Sequence, residues 1–141
     1  MKLQVGVKAL IKRDTAYLFL RREPLFKTGP QKWDIPGGRI EPEEELYEAL
    51  TREVREETAL RLTTVGKLLA AQDIFVPNKE IHVVRLTYLA TAEGGVVISS
   101  EHDEYRWMTV EEVLAEEHVD SYLRQVVERE KAAMSKGDDN G

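Results

Sequence analysis

Apolar and polar residues alternate along the first part of the chain with the two-residue period of β-strands. This pattern predicts strands at residues 3–11 and 16–21, joined by a turn at residues 13–15. Residues 33–35 are expected to be extended, because a residue that precedes proline is restricted to extended backbone. Prolines and glycines predict a loop at residues 23–32 and a turn at residues 36–38.

The remainder of the chain predicts three helices and further strands. Pro42 suits the first position of a helix that runs to about Thr58, with glutamates in its first turn. Thr109 and Glu112 have the Thr-x-x-Glu spacing of a capping box, which predicts a short helix to about Ala115. The other expected elements are strands at residues 62–71, 81–92, 96–98 and 105–108, a turn at 77–79 and a last helix at 120–133.

These elements predict a mixed sheet in an α/β or α+β layer fold, because strands and helices do not alternate strictly. The 141 residues, of which 42% are hydrophobic, are enough for one domain with a packed core. We expect that domain at residues 1–134. The small polar residues 135–141 are expected to fray.

Charge and cysteine content narrow the classes of function. The chain contains no cysteine, which excludes a disulfide framework, a thiolate zinc site and a cysteine nucleophile. No apolar run is long enough to cross a membrane and no signal-peptide core precedes the first strand, so we expect a cytoplasmic protein with no membrane partner. The net charge of −6 disfavours binding to a nucleic-acid polymer. A small polyanion remains a possible substrate if a metal ion neutralises the site.

The predicted helix after Pro42 carries carboxylates on the face that should pack against the sheet. Its apolar stripe consists of Leu46, Ala49, Leu50 and Val54. Glu53, Glu56 and Glu57 follow the same three- and four-residue spacing and continue that stripe. Two carboxylates about 5–6 Å apart repel by roughly 3 kcal/mol at an effective dielectric constant of about 20. A positive partner is therefore expected at this end of the helix.

Two readings of that acidic end stay open. Arg52 can pair with Glu48 or Glu56 four residues away, which is the arrangement of a solvated acidic helix. One arginine does not balance three glutamates, whereas a hard dication such as Mg²⁺ prefers carboxylate oxygens.

The sequence from Gly38 to Leu60 resembles the Nudix box, G-x5-E-x7-R-E-U-x-E-E-x-G-U, in which U is aliphatic. The matching positions are Gly38, Glu44, Arg52, Glu53, Val54, Glu56, Glu57 and Leu60. The preceding Trp33-Asp34-Ile35-Pro36-Gly37 and the later Trp107 are also similar to the family pattern. One position departs from it, because Ala59 stands where the family has glycine. Either Ala59 adopts a strained left-handed cap or the helix ends differently.

The resemblance implies an α/β/α sandwich around a mixed sheet, and an MutT-like hydrolase of diphosphate linkages. It implies that Glu53, Glu56, Glu57 and the Gly38 carbonyl hold Mg²⁺, with Mn²⁺ as a substitute. Glu53 is expected to be a ligand or the base that accepts the proton of water. Arg52 is expected to orient a glutamate. Glu44 is expected to steady the loop or to reach a metal ion through a water molecule. The alternative for Glu44 is a favourable negative charge in the first turn of the helix.

Residues outside the box complete the expected site. Glu101, next to His102 and ahead of Trp107, resembles an additional glutamate that aids metal binding or base chemistry in some triphosphate-cleaving relatives; a surface charge is the alternative. The expected substrate contacts are Trp33 and Tyr88 to a base, and Arg21 and Arg39 to phosphate. For the aromatic residues a place in the core is the alternative, and for the arginines a solvated surface.

Three functions are therefore considered. The first is a Mg²⁺-dependent pyrophosphohydrolase acting on a nucleoside triphosphate, including damaged ones, or alternatively on ADP-ribose or another nucleoside diphosphate sugar. The second is a non-catalytic module that binds a small-molecule nucleotide, and the third is an interaction domain with a solvated acidic helix. Many Nudix proteins are dimers, so a homodimer is one expectation.

Overall fold

The computed structural model describes residues 1–22 and 32–140, without the side chains of residues 137–140. Most of the loop predicted at residues 23–32 lies outside these ranges. The described strands are β1 (Lys2–Arg13), β2 (Ala16–Arg22), β3 (Lys32–Asp34), β4 (Gly37–Arg39), β5 (Arg61–Val76), β6 (Ile81–Glu93) and β7 (His102–Met108). The helices are α1 (Leu46–Thr58), α2 (Val110–Leu114) and α3 (Ser121–Asn140).

The described strands form one mixed sheet, in which β3, β2, β1, β6 and β5 lie side by side in that order. The central pair, β1 and β6, is parallel, and the other pairs are antiparallel. Strand β4 pairs with β1, and β7 pairs with β2. Long parallel pairing joins β1 to β6 through the middle of the sheet, and β1 also pairs with the short β4.

Helices cover both faces of this sheet, because its central strands are apolar on both sides. On β2, Leu18 and Leu20 belong to the core beneath α1, whereas Tyr17 and Phe19 belong to the core beneath α2 and α3. Period-two alternation thus sends successive residues into two separate cores. The α/β/α sandwich with a mixed sheet is confirmed.

The acidic helix begins later than its sequence pattern predicts. Pro42 lies in a turn, Glu43 has a left-handed φ of 68°, and α1 starts only at Leu46. The turn is closed by a bond of 3.0 Å from the Glu44 amide to the Glu41 carbonyl oxygen. The prediction that Pro42 opens the helix is therefore wrong, and Glu44 lies ahead of the helix, outside its first turn.

Two segments near the end of α1 also differ from expectation. Residues 37–39 form strand β4 rather than the second half of a turn, since they pair with β1. No strand forms at residues 96–98 in the described structure. Instead, the amides of Val97 and Ser99 donate to the Thr58 and Glu57 carbonyls at 2.9 and 3.1 Å. These bonds satisfy carbonyl groups that the end of a helix leaves without partners.

The C-terminal part follows the predicted pattern closely. Strand β7 includes the predicted residues 105–108, and Thr109 and Glu112 form the capping box that opens α2. Helix α3 continues to Asn140, beyond the end predicted at Ala133 and into the segment expected to fray. In the described ranges, no helix combines the length and the apolar character needed to cross a membrane.

Candidate active site

The end of α1 brings the three box glutamates to one edge of the sheet. Ala49, Leu50 and Val54 are fully buried against it, so the next turn on the same side must also approach the sheet. Glu57 is 8% exposed, and the Glu53 side chain is 17% exposed, whereas 60% of the Glu56 side chain remains accessible. The predicted acidic extension of the apolar stripe therefore exists.

Strand β4 lies directly against these carboxylates because it begins with two glycines. A Cβ on Gly38 would be 2.6 Å from the Glu53 carboxyl carbon. Gly37 has a φ of 146°, and a Cβ there would be 2.1 Å from the Val7 carbonyl oxygen. The Gly37 amide donates to Glu57 Oε1 at 2.8 Å. Glycine at both positions lets backbone take the space next to the carboxylates, as metal ligation by the Gly38 carbonyl would require.

Arg52 connects the box glutamates to the loop before the helix. Its Nε and Nη2 donate to the two oxygens of Glu44 at 2.8 and 3.0 Å. Its Nη1 donates to Glu53 at 2.9 Å and lies 3.5 Å from Glu56. Glu44 also accepts a hydrogen bond from the Glu41 amide at 3.0 Å, so its carboxylate joins the loop to Arg52. Hydrogen bonds from Arg52 and Glu41 lower the pKa of Glu44 to about 2.

The carboxyl group of Glu57 lies in a buried and negatively charged environment. Burial raises its pKa to about 7, and the negative charges of Glu53 and Asp34 act in the same direction, against the Gly37 amide and Lys8. His102 Nε2 lies 3.8 Å from Glu57 Oε2, so the buried histidine adjoins the cluster. A carboxyl with this pKa is easily ionised by a nearby cation.

The oxygen donors of this cluster suit a hard divalent cation, which prefers carboxylate and carbonyl ligands. Glu53, Glu56 and Glu57 come within about one helical turn, and the β4 backbone lies beside Glu53 and Glu57. In the ranges that the structure describes, no three acidic, histidine or cysteine side chains stand as a ready-made metal cage. In this structure Arg52 pairs with Glu53 and Glu56. Binding of a cation would therefore require these two glutamates to exchange Arg52 for the metal ion.

A cavity of about 200 Å³ borders the same two glycines of β4 that lie against the glutamates. It is lined by Gln4, Val5, Gly6, Lys8, Arg22, Gly37, Gly38, Arg39, Val83 and Arg85. Among the described residues, the guanidinium groups of Arg22, Arg39 and Arg85 have no hydrogen-bonded or ion-paired partner. Four cationic side chains thus surround a space that opens beside the acidic cluster, which suits a polyanionic substrate.

Of the predicted substrate contacts, the structure brings only Arg39 to this cavity. Arg21 forms ion pairs of 3.0 Å with both Asp103 and Glu104. Trp33 is 6% exposed in the core beneath α3, with the Arg21 and Arg106 guanidinium groups over its ring. Tyr88 belongs to the opposite core, beneath α1, and contacts Tyr47 edge-on. The alternative of a place in the core therefore describes both aromatic residues.

Glu101 lies exposed in the turn immediately before β7, next to the buried His102. No side-chain contact joins it to the box glutamates within the described ranges. Its effect is electrostatic, since its charge partly offsets the burial that lowers the pKa of His102. Its catalytic role stays a prediction.

Sequence reasoning missed Lys8 and Arg85, which line the cavity. Lys8 is 8% exposed, and its Nζ donates to Asp34 at 3.2 Å and to the Ile35 carbonyl at 3.1 Å. A lysine within the apolar alternation of β1, and an arginine within the apolar run of β6, were the signals that could have identified them.

Comparisons with known proteins agree with this geometry. Residues 2–129 match the NUDIX domain family. A nucleoside triphosphatase NudI of Escherichia coli is 32% identical over 123 residues, which cover 81% of this chain and 87% of the relative.

Solved structures give the same answer. A MutT protein from Methanosarcina mazei Go1 superposes with a TM-score of 0.79 at 32% identity, covering 91% of this chain and 92% of the other. The Escherichia coli ORF135 protein gives a TM-score of 0.83 at 26% identity, covering 96% and 94%. With its complete set of box glutamates, the chain belongs to the Nudix family, as a hydrolase that acts on phosphoanhydride bonds.

Proposed function

We propose that this chain is a Mg²⁺-dependent pyrophosphohydrolase that converts a nucleoside triphosphate to a nucleoside monophosphate and pyrophosphate. The observation that carries the proposal is that Gly37 and Gly38 of β4 lie against the acidic cluster and also line the cationic cavity. The relatives named as nucleoside triphosphatases support the choice of a triphosphate. A cytoplasmic location and a homodimer stay predictions of the sequence.

The cationic cavity and the acidic cluster would bind different components of the reaction. The cations around the cavity, Lys8, Arg22, Arg39 and Arg85, would bind the phosphate chain and the nucleoside end of the substrate. Glu53, Glu56, Glu57 and the Gly38 carbonyl would hold the metal at the scissile linkage. When bound, Mg²⁺ would offset phosphate charge and lower the pKa of the attacking water.

The proton of the attacking water must go to a carboxylate near that linkage. Glu53 is suited to be either a metal ligand or this base, because Arg52 holds it at 2.9 Å and β4 restricts it on its other side. Glu56 is the most accessible of the three. Arg52 acts as a positioning residue, since its guanidinium is fully engaged by carboxylates and by the Arg39 carbonyl at 3.2 Å.

The test compares two Glu→Gln substitutions on the same helix. Glu56→Gln should lower Mg²⁺-dependent release of pyrophosphate from nucleoside triphosphates by at least ~100-fold, the scale of a catalytic or metal-binding carboxylate. Glu48→Gln is the matched control, because Glu48 is exposed in the first turn of α1 and, among the described residues, its side chain takes part in none of the hydrogen bonds or ion pairs of the cluster. Circular dichroism should show that both variants remain folded. Equal activity in the two variants would contradict the assigned site.

A further inference from the structure

Two fully buried polar atoms without partners lie beneath the cationic cavity. They are Gln72 Oε1 and Thr87 Oγ1, and neither has a hydrogen-bond partner among the described residues. Gln72 is 7% exposed and Thr87 is 0% exposed. Buried polar atoms are nearly always hydrogen-bonded in folded proteins, so a pair without partners on adjacent strands calls for an explanation.

Both residues line a second, much smaller cavity of about 10 Å³. Lys8 and Arg85 line this cavity as well as the larger one, so the two cavities are neighbours separated by these side chains. Its other walls include Asp34 and Tyr122. Its volume matches one small polar group rather than a ring or a phosphate.

Gln72 and Thr87 present hydrogen-bond acceptors to the small cavity. Gln72 Nε2 donates to the Tyr122 carbonyl at 3.0 Å and to Gln125 Oε1 at 2.7 Å. Because the amide nitrogen faces those two acceptors, the amide oxygen is the atom that Gln72 presents to the cavity. Thr87 offers a hydroxyl, which can accept as well as donate. The complement of these two oxygens is an N–H donor.

The surrounding groups disfavour a metal cation and a phosphate in the small cavity. Lys8 and Arg85 disfavour a metal cation at this depth. A phosphate oxygen would meet the acceptor atoms of Gln72 and Thr87, and phosphate is better placed among the arginines of the larger cavity. A neutral amino group satisfies both conditions, since it donates hydrogen bonds and carries no charge.

We propose that Gln72 and Thr87 determine base specificity by accepting hydrogen bonds from the exocyclic amino group of the nucleobase. The enzyme then prefers nucleotides with an amino-bearing base over those in which a carbonyl replaces that group. This inference rests on the proposed function and names the substrate class of the same site.

The test uses pairs of substrates that differ at this group, CTP against UTP and ATP against ITP. The wild-type protein should favour the amino-bearing member of at least one pair by ~10-fold or more in kcat/KM, the scale of one hydrogen bond. Thr87→Val and Gln72→Met remove the two acceptors with little change of volume. Each should reduce the preference toward one, with kcat for the carbonyl-bearing substrate within about threefold of wild type.

Two controls keep the result specific. Thr87→Ser keeps the hydroxyl and should retain the preference. Thr91→Val makes the same change on the same strand at an exposed position, where the hydroxyl contacts Thr63 and Thr64. This variant should leave the preference unchanged. Thermal unfolding should show that each variant is folded.

The outcomes separate this inference from the proposed function. Triphosphate hydrolysis without any preference, or a preference that survives in both Thr87→Val and Gln72→Met, would overturn base reading and assign the two atoms to a buried water. If no triphosphate is hydrolysed, the proposed function fails. The ratio of Kd for CMP and UMP, and for AMP and IMP, then tests base reading independently of turnover.

Discussion

Ala59 ends helix α1 in a left-handed conformation, with φ of 63° and ψ of 5°. In this conformation Cβ crowds the following carbonyl group, at a cost of about 1–2 kcal/mol for a residue other than glycine. The Nudix pattern has glycine at this position. Of the two expectations for Ala59, the strained cap is therefore the one that the structure adopts, and Ala59→Gly should relieve the strain.

The size of the gain follows from two opposing terms. Removing Cβ relieves about 1–2 kcal/mol, while the greater freedom of glycine in the unfolded chain returns about 0.4–1 kcal/mol. Ala59 is exposed, so no core contact is lost. Its amide donates to the Arg55 carbonyl at 2.9 Å, and glycine keeps this bond. The net expectation is a stabilisation of about 0.5–1 kcal/mol, or a rise in Tm of roughly 3 °C.

Urea unfolding of the wild type and the variant measures this difference, provided that the m value is unchanged. Ala132→Gly is the matched control, because Ala132 is exposed within helix α3, where glycine destabilises by about 0.5–1 kcal/mol. Hydrolytic activity should not change, since Ala59 supplies no side-chain ligand. If Ala59→Gly destabilises the protein as much as Ala132→Gly does, the inference of a strained cap is refuted.

Three further predictions concern the site itself. Gly38→Ala should reduce hydrolysis at least ~10-fold, because a Cβ would lie 2.6 Å from the Glu53 carboxyl carbon. Gly95→Ala is the control and should be neutral in the same assay, because open space surrounds Gly95. Arg52→Lys should lower kcat by a similar factor without unfolding the helix, since an ammonium cannot replace the paired bonds to Glu44 and Glu53; an unchanged kcat would count against the positioning role. The third prediction concerns pH. Burial raises the pKa of Glu57 from 4.5 to about 7, so the metal-free folded state binds more protons than the unfolded state between these values. Its stability should therefore fall by about 2–3 kcal/mol as the pH rises from about 4.5 to 7, and urea unfolding in EDTA should show that Glu57→Gln abolishes this fall.

The sequence predicts the acidic cluster well because it depends on a single helix. Residues 53, 56 and 57 share a face by helical geometry alone, and the buried Ala49, Leu50 and Val54 settle which way that face points. The start of the helix was not predictable in the same way. Pro42 carries a correct local signal, but the bonds of Glu44 to Arg52 and to the Glu41 amide fold this segment into a loop.

The cavity could not be predicted because its residues come from separate strands. Lys8 faces the cavity because β1 pairs in parallel with β6, which aligns Lys8 with Thr87. That register brings Lys8, Thr87 and Gln72 together, and no local pattern encodes it. The same limit applies to Tyr88, which was predicted to contact a base. Its position on β6 is adjacent to Thr87, so it points to the opposite face and into the core beneath α1.

The most direct test of the account is an analysis of the products formed with Mg²⁺ from a panel of nucleoside triphosphates, ADP-ribose, sugar nucleotides and dinucleoside polyphosphates. The account predicts a nucleoside monophosphate and pyrophosphate in equal amounts from at least one triphosphate, with no product when EDTA removes the metal. A nucleoside monophosphate and a sugar phosphate as the only products would contradict the triphosphate assignment. Absence of any product across the panel would contradict the assignment of a catalytic site to the acidic cluster.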